Sequence, residues 1–155
     1  MQMKHQIVEE SRPMADSLLK NWLAFHKFLR LAMSDQPITR EQDQMFLQIK
    51  SAVSRTYSQI RSRLPRALTG SPERMQDVMK TALSVSHIRN LPATDRRALY
   101  TLWHAFYVEL CRTAGALKYM AEEKHYPRFD ERESKASANI KADMAAEQRG
   151  GKKKR

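Results

Sequence analysis

Glu122 and His125 have the spacing that comes closest to a metal-binding pattern in this chain. A Glu-x-x-His pair places a carboxylate and an imidazole on neighbouring helix positions, as in the di-iron sites of helical bundles. Such sites need a second pair and further carboxylates, and the sequence has no second Glu-x-x-His. Glu122 also lies off the apolar stripe of its segment. The pattern therefore predicts a solvated helix end and no metal site.

His104 and Cys111 are the next candidates for chemistry. On one helix they would lie two turns apart, about 10 Å along the axis, which is too far for a hydrogen-bonded nucleophile pair. Two ligands also do not complete a zinc site. The sequence contains no glycine-rich phosphate loop, no G-x-S-x-G and no H-E-x-x-H. We therefore expect no catalytic residues, no cofactor and no small-molecule substrate.

A long basic stretch is the stronger candidate for function. Residues 44–72 include five basic residues and no acidic residue. An exposed helix usually interleaves both signs of charge, so the missing acid favours an anionic partner, although basic runs are more often simply solvated. Small serines beside the cations would let a phosphate or an acidic helix approach closely. We predict a solvent-facing basic face formed by Lys50, Arg55, Arg61 and Arg66.

The composition agrees with a basic globular protein. The 155 residues are 41% hydrophobic and 29% charged, with a net charge of +11, which predicts attraction to nucleic acid, anionic lipid or an acidic protein. The last residues form a second basic cluster, Lys152, Lys153, Lys154 and Arg155. This cluster is compatible with a nucleic-acid-binding tail, a solubility tail or a cloning remnant. The single cysteine and the polar N-terminus predict a cytoplasmic protein without a secretory signal or transmembrane segment.

Apolar periodicity predicts the elements that carry these residues. Four glycines and six prolines in the whole chain favour long helices, and four helical segments follow. We predict an all-α fold, a mostly antiparallel up-down four-helix bundle with a flexible or partly helical C-terminal arm. The domain boundaries are an N-terminal arm at 1–12, a helical bundle at 13–126, and a polar C-terminal arm with the basic tail at 127–155.

The first two helices have the clearest patterns. The first, from Pro13 to about residue 34, carries apolar residues outside its core stripe, which predicts docking on a protein through Leu23, Phe28 and Leu31. The second begins with a capping box of Thr39 and Gln42 and ends at Pro65. Its core stripe has helical spacing throughout: Phe46, Ile49, Val53, Tyr57, Ile60 and Leu64.

These observations favour a non-catalytic interaction module, a structural or adaptor subunit that docks on a partner protein or larger complex. The alternative is a nucleic-acid-binding accessory protein that contacts backbone phosphates without base-specific readout. A peripheral protein of anionic membranes ranks third, because the most basic helix uses its apolar face in the core. An enzyme ranks last.

Overall fold

The computed structural model describes residues 2–126 and Phe129. The elements are α1 (Gln2–Met33), α2 (Arg40–Arg63), a short 3-10 helix (Arg66–Leu68), α3 (Pro72–Thr81), α4 (Val85–Asn90) and α5 (Ala93–Glu123). The described residues are mostly helical and contain no strand, so the all-α prediction is confirmed. The basic tail Lys152–Arg155 and the rest of the C-terminal arm, apart from Phe129, lie outside the described residues.

The first helix is longer than its sequence predicts. We expected it to begin near Pro13, but α1 begins at Gln2 and Pro13 lies inside it. An internal proline removes one backbone hydrogen bond and costs a helix about 3 kcal/mol. Val8 is fully buried and Ile7 packs against the core, and this apolar packing of residues 2–12 offsets the cost. The predicted start is therefore wrong, and most of the predicted N-terminal arm is part of α1.

The sequence pattern predicts one third helix, capped by Ser71, beginning at Pro72 and continuing to about Arg89, but in the structure this segment is divided in two. α3 ends at Thr81, and a new N-terminus is capped by Ser84, whose hydroxyl accepts the His87 N–H at 3.0 Å. Asp43 of α2 also accepts the Val85 N–H at 2.8 Å, so a side chain distant in sequence fixes the start of α4. The described residues thus form five α-helices, and the four-helix up-down arrangement stays a prediction.

α1 lies between α2 and α5 and packs on both. Its start meets the end of the described chain, where His5 Nδ1 and the Tyr126 hydroxyl are 2.9 Å apart. Its middle meets the first part of α5 through Trp22 and Trp103. Contacts that pair in reverse sequence order show that α1 runs antiparallel to α5.

α2 pairs with α1 in the same reversed sense. Arg63, at the end of α2, forms an ion pair of 2.8 Å with Glu10 near the start of α1. Phe46, near the start of α2, packs on Phe25 with ring centroids 4.8 Å apart. The capping box is present, because Gln42 N–H donates to Thr39 and the Thr39 N–H donates back to the Gln42 side chain. Every residue of the predicted α2 stripe is buried or packs on the core.

The centre of the core is a pair of stacked tryptophans. The rings of Trp22 and Trp103 are 6.2 Å apart at an interplanar angle of 5°. Each indole Nε1–H donates to the backbone carbonyl of the other residue, at 3.1 Å in both directions. Phe106 packs edge-on against Trp22, and Tyr57 packs edge-on against Phe106. Trp22 and Trp103 are therefore stabilised both by burial of their rings and by hydrogen bonds from their indole N–H groups.

We expect Trp22→Phe and Trp103→Phe each to lower the free energy of unfolding by about 1–3 kcal/mol, through lost packing and a lost hydrogen bond. The double variant should show a coupling energy of about 0.5 kcal/mol or more, because the two residues contact each other. Urea unfolding measures all of these values. Leu23→Ala, next to Trp22 and 43% exposed, is the control and should cost little. Strict additivity of the two tryptophan variants would contradict the prediction.

Tyr57 anchors the segment that follows α2. Its hydroxyl donates to the Thr69 carbonyl at 2.8 Å, and the side chain is buried. Thr69 ends the 3-10 helix, so this bond holds that helix on the core. Desolvation by burial raises the pKa of Tyr57 from 10.0 to about 12, since a buried phenolate would lack water.

This raised pKa predicts a loss of stability at alkaline pH. Above pH 10 the unfolded chain releases the Tyr57 proton while the native state keeps it, so the free energy of unfolding falls as the pH rises towards 12. The full loss is up to about 3 kcal/mol. Urea unfolding across this range should show a smaller pH dependence for Tyr57→Phe than for the wild type. Tyr119→Phe, at an exposed position, should behave as the wild type does. Parallel loss of stability in all three proteins would exclude Tyr57 as the cause.

Candidate docking groove

An open groove runs between α2 and α3, and we call it the α2–α3 groove. It consists of two adjoining depressions of about 700 and 400 Å³ that share Ser54 and Met79. The wall from α2 consists of Leu47, Lys50, Ser51, Ser54 and Arg55. The wall from α3 and the residues after it consists of Met75, Gln76, Met79, Lys80 and Leu83. None of these described wall residues is acidic.

The walls of the α2–α3 groove combine exposed apolar side chains with cations. Leu47 is 47% exposed and Leu83 is 53% exposed, whereas Met79 is half-buried between them. Arg55 and Lys80 are exposed. Exposed large apolar residues grouped in a depression mark interaction sites more often than scattered ones do. The α2–α3 groove is therefore a surface suited to docking a partner.

Lys50 lies deeper than predicted. Its ammonium donates to the Met79 carbonyl at 3.1 Å and lies 5.9 Å from the centroid of the Phe46 ring. Burial lowers the pKa of Lys50 below its ordinary value. Met79 is in the last turn of α3, where a cation compensates the helix dipole. The expectation that Lys50 faces solvent is wrong, because this side chain links α2 to the C-terminal end of α3.

The three predicted arginines of the basic face are exposed. Arg55 lines the α2–α3 groove, and Arg66 lies in the 3-10 helix. The Arg61 guanidinium lies 5.8 Å from the centroid of the Tyr57 ring, a cation–π contact that leaves it accessible. The solvent-facing placement of Arg55 and Arg61 agrees with the helical pattern of α2, and the role of all three arginines in binding stays a prediction.

Residues 44–72 contain no acidic residue, but carboxylates from α1 and α3 lie beside the arginines of this stretch. Glu10 of α1 pairs with Arg63 at 2.8 Å. Glu73 of α3 lies close to Arg66 and Arg61. Hydrogen bonds from its own backbone N–H and from Ser71 lower the pKa of Glu73, and the two arginines lower it further. The basic face is therefore partly neutralised near the end of α2, while the α2–α3 groove is not.

A polar clip on α5 sets the position of α3. The Glu109 carboxylate accepts the Ser71 N–H at 2.9 Å and pairs with Arg74 at 2.7 Å. Gly70 has a positive φ of 71°, and a Cβ there would lie 2.6 Å from the Glu109 Oε2 atom. Glycine is suited to this position because it adopts the positive φ without strain and has no Cβ to displace the Glu109 carboxylate. Because α3 is held on α5 and makes few contacts with α2, the α2–α3 groove stays open.

The three apolar docking candidates of α1 do not form one surface. Phe28 and Leu31 line a shallow depression near the end of α1. Phe28 is half-buried and packs on Phe46 with ring centroids 5.6 Å apart, so part of its surface belongs to the core. Leu23 is exposed elsewhere on α1 and does not line this depression.

Sequence reasoning missed the apolar part of the α2–α3 groove. Leu47 and Leu83 are exposed apolar residues that lie off the core stripes of their segments. Leu47 could have been identified from the sequence, because it is an apolar residue outside the core stripe, as Leu23, Phe28 and Leu31 are in the first helix. Lys80 and Leu83 were not predicted to line a surface, because one continuous third helix was expected and the break between α3 and α4 was not.

The residues considered for chemistry stay apart in the fold. Across residues 2–126 and Phe129, no group of three His, Cys, Asp or Glu side chains is arranged to hold a metal ion. His104 is exposed, and Cys111 is half-buried. The neighbouring Cys111 side chain raises the pKa of Tyr107. In the same part of the chain, no helix is long and apolar enough to cross a membrane.

Comparison of the chain with protein-family models, with curated proteins and with solved structures finds no match.

The contacts of Glu109 with Ser71 and Arg74 predict how mutation of each partner changes the stability of α3. Glu109→Ala leaves the Ser71 N–H without its acceptor and should lower the free energy of unfolding by about 1–3 kcal/mol. Arg74→Ala removes only a partly exposed ion pair and should cost about 1 kcal/mol or less. Hydrogen exchange should accelerate in α3 for Glu109→Ala and not for Arg74→Ala. Equal effects of the two variants would show that the ion pair, and not the backbone hydrogen bond, holds α3.

Proposed function

We propose that this protein is a non-catalytic interaction module, a cytoplasmic structural or adaptor subunit that docks on a partner protein. One observation carries the proposal: the α2–α3 groove joins exposed Leu47 and Leu83 to the cations Arg55 and Lys80, with no acid in its walls. Protein interfaces combine an apolar centre with a polar rim in this way. The exposed Arg61 and Arg66 extend the positive surface beyond the groove.

The shape of the α2–α3 groove favours a macromolecule over a small molecule. Small-molecule sites are concave and bury most of the ligand surface. The α2–α3 groove is open along its length, and its walls are two helix faces with small and flexible side chains such as Ser54 and Met79. A ligand with its own extended surface would contact both depressions at once.

Nucleic-acid binding is the second candidate, and the exposed side chains of Arg55, Arg61 and Arg66 favour it. Phosphate-backbone binding relies on unpaired cations in a continuous patch. Glu10 beside Arg63 and Glu73 near Arg61 and Arg66 reduce that patch. The apolar residues of the α2–α3 groove would add nothing to a phosphate contact, so protein docking accounts for more of the surface.

The test is affinity capture with the tagged full chain from a lysate of its source organism, with and without nuclease. We expect captured proteins that survive nuclease and are lost from a variant carrying Arg55→Glu, Arg61→Glu and Arg66→Glu. A control variant with the same charge change at exposed positions elsewhere should retain them: Lys20→Glu, Arg97→Glu and Lys118→Glu. Circular dichroism should show equal helicity in all three proteins.

Two outcomes would overturn the proposal. If nuclease abolishes capture, and duplex RNA or DNA binds at low salt with an affinity that falls steeply as salt is added, the function is phosphate binding. If both charge-reversed variants capture the same proteins as the wild type, the basic surface is not the docking site.

A further inference from the structure

We propose that the α2–α3 groove binds an acidic amphipathic α-helix of a partner protein. This inference rests on the proposed function and goes further by specifying the secondary structure and charge of the docked segment. Three features of the groove support it: its length, the kind of side chains in its walls, and its charge.

The length of the α2–α3 groove matches a short helix. On α3, the wall extends from Met75 to Lys80, about 8 Å at 1.5 Å per residue, and Leu83 continues it beyond the helix. On α2, the wall from Leu47 to Arg55 extends for about 12 Å, or about two helical turns. About two turns of a partner helix laid along the groove would contact both walls.

The wall residues select a helix over other peptide conformations. An added β-strand needs an exposed strand edge, and the described residues contain no strand. A polyproline segment docks on aromatic rings, and no aromatic residue lines the α2–α3 groove. Leu and Met walls are those of helix-in-groove complexes, in which flexible Met side chains such as Met79 adapt to the apolar face of the incoming helix.

The charge of the α2–α3 groove selects an acidic helix. Lys50 and Arg55 stand on one wall and Lys80 on the other, with no acidic residue in either. A helix with carboxylates flanking its apolar stripe would place negative charge against both cationic sides. A basic helix would bring like charges together and lose affinity. Ser51 and Ser54 are small, so they leave room for the approaching backbone.

The test uses a synthetic peptide of about sixteen residues, with leucines at helical i, i+3, i+4 and i+7 spacing and glutamates elsewhere. A matched peptide carries lysines in place of the glutamates, and a third has the glutamate sequence scrambled. Fluorescence anisotropy measures affinity for the full chain. NMR of methyl-labelled methionines locates the peptide: Met75 and Met79 signals should shift, and the Met45 signal, on α2 outside the α2–α3 groove, should not.

Variants of the full chain separate apolar from charged contributions. Leu47→Asp should weaken binding of the glutamate peptide by about tenfold or more. Met45→Asp is its control, because Met45 is on the same helix and is similarly exposed, at 54% against 47% for Leu47. Arg55→Glu with Lys80→Glu should weaken the glutamate peptide by about tenfold and strengthen the lysine peptide, since the rim charge is reversed.

Several results would overturn the inference. The glutamate peptide could fail to bind, bind no better than the lysine or scrambled peptide, or respond equally to Leu47→Asp and Met45→Asp. A homodimer seen by sedimentation and dissolved by Leu47→Asp would show that a second copy of this chain is the occupant. If lysate capture still depends on Arg55, Arg61 and Arg66 while the glutamate peptide fails, the helix inference falls and the proposed function stands. If both fail, both fall.

Discussion

The two indole N–H groups at the centre of the core constrain the whole arrangement of helices. A buried Trp N–H needs an acceptor, and here each finds one on the backbone of the opposite helix. Sliding α1 against α5 by one turn would leave both donors unpaired in an apolar interior, at about 1–3 kcal/mol each. Contacts at the two ends agree with this register, because His5 meets Tyr126 and Arg89 donates to the Leu31 carbonyl at 2.8 Å.

The position of α5 in turn determines where the surface opens. Glu109 lies on α5 two turns beyond Trp103, and its carboxylate receives the backbone N–H that precedes α3. α3 therefore packs on α5, and Lys50 reaches across from α2 to hold only its C-terminal end. The α2–α3 groove is thus produced by the packing of the helices around the core.

The sequence predicted what depends on local pattern. The core stripe of α2 and its capping box involve residues three and four apart, whose periodicity and hydrogen-bonding chemistry are visible in one segment. The sequence pattern did not predict features that depend on contacts between residues far apart in the chain. Val8 burial carries α1 through Pro13, and Asp43 caps a helix that begins at Val85. Arg55 was correctly placed in solvent by its helical angle, whereas Lys50 was misplaced because its partner, the Met79 carbonyl, belongs to another helix.

The tryptophan pair also gives the protein a spectroscopic property. The chain has two tryptophans, and both are in this one buried contact. Its indole fluorescence and much of its near-ultraviolet circular dichroism therefore report on a single place, the junction of α1 and α5, and near-ultraviolet dichroism disappears when specific packing is lost. Because the α2–α3 groove contains no tryptophan, occupation of the groove should leave these tryptophan signals unchanged, whereas disruption of the core should remove them.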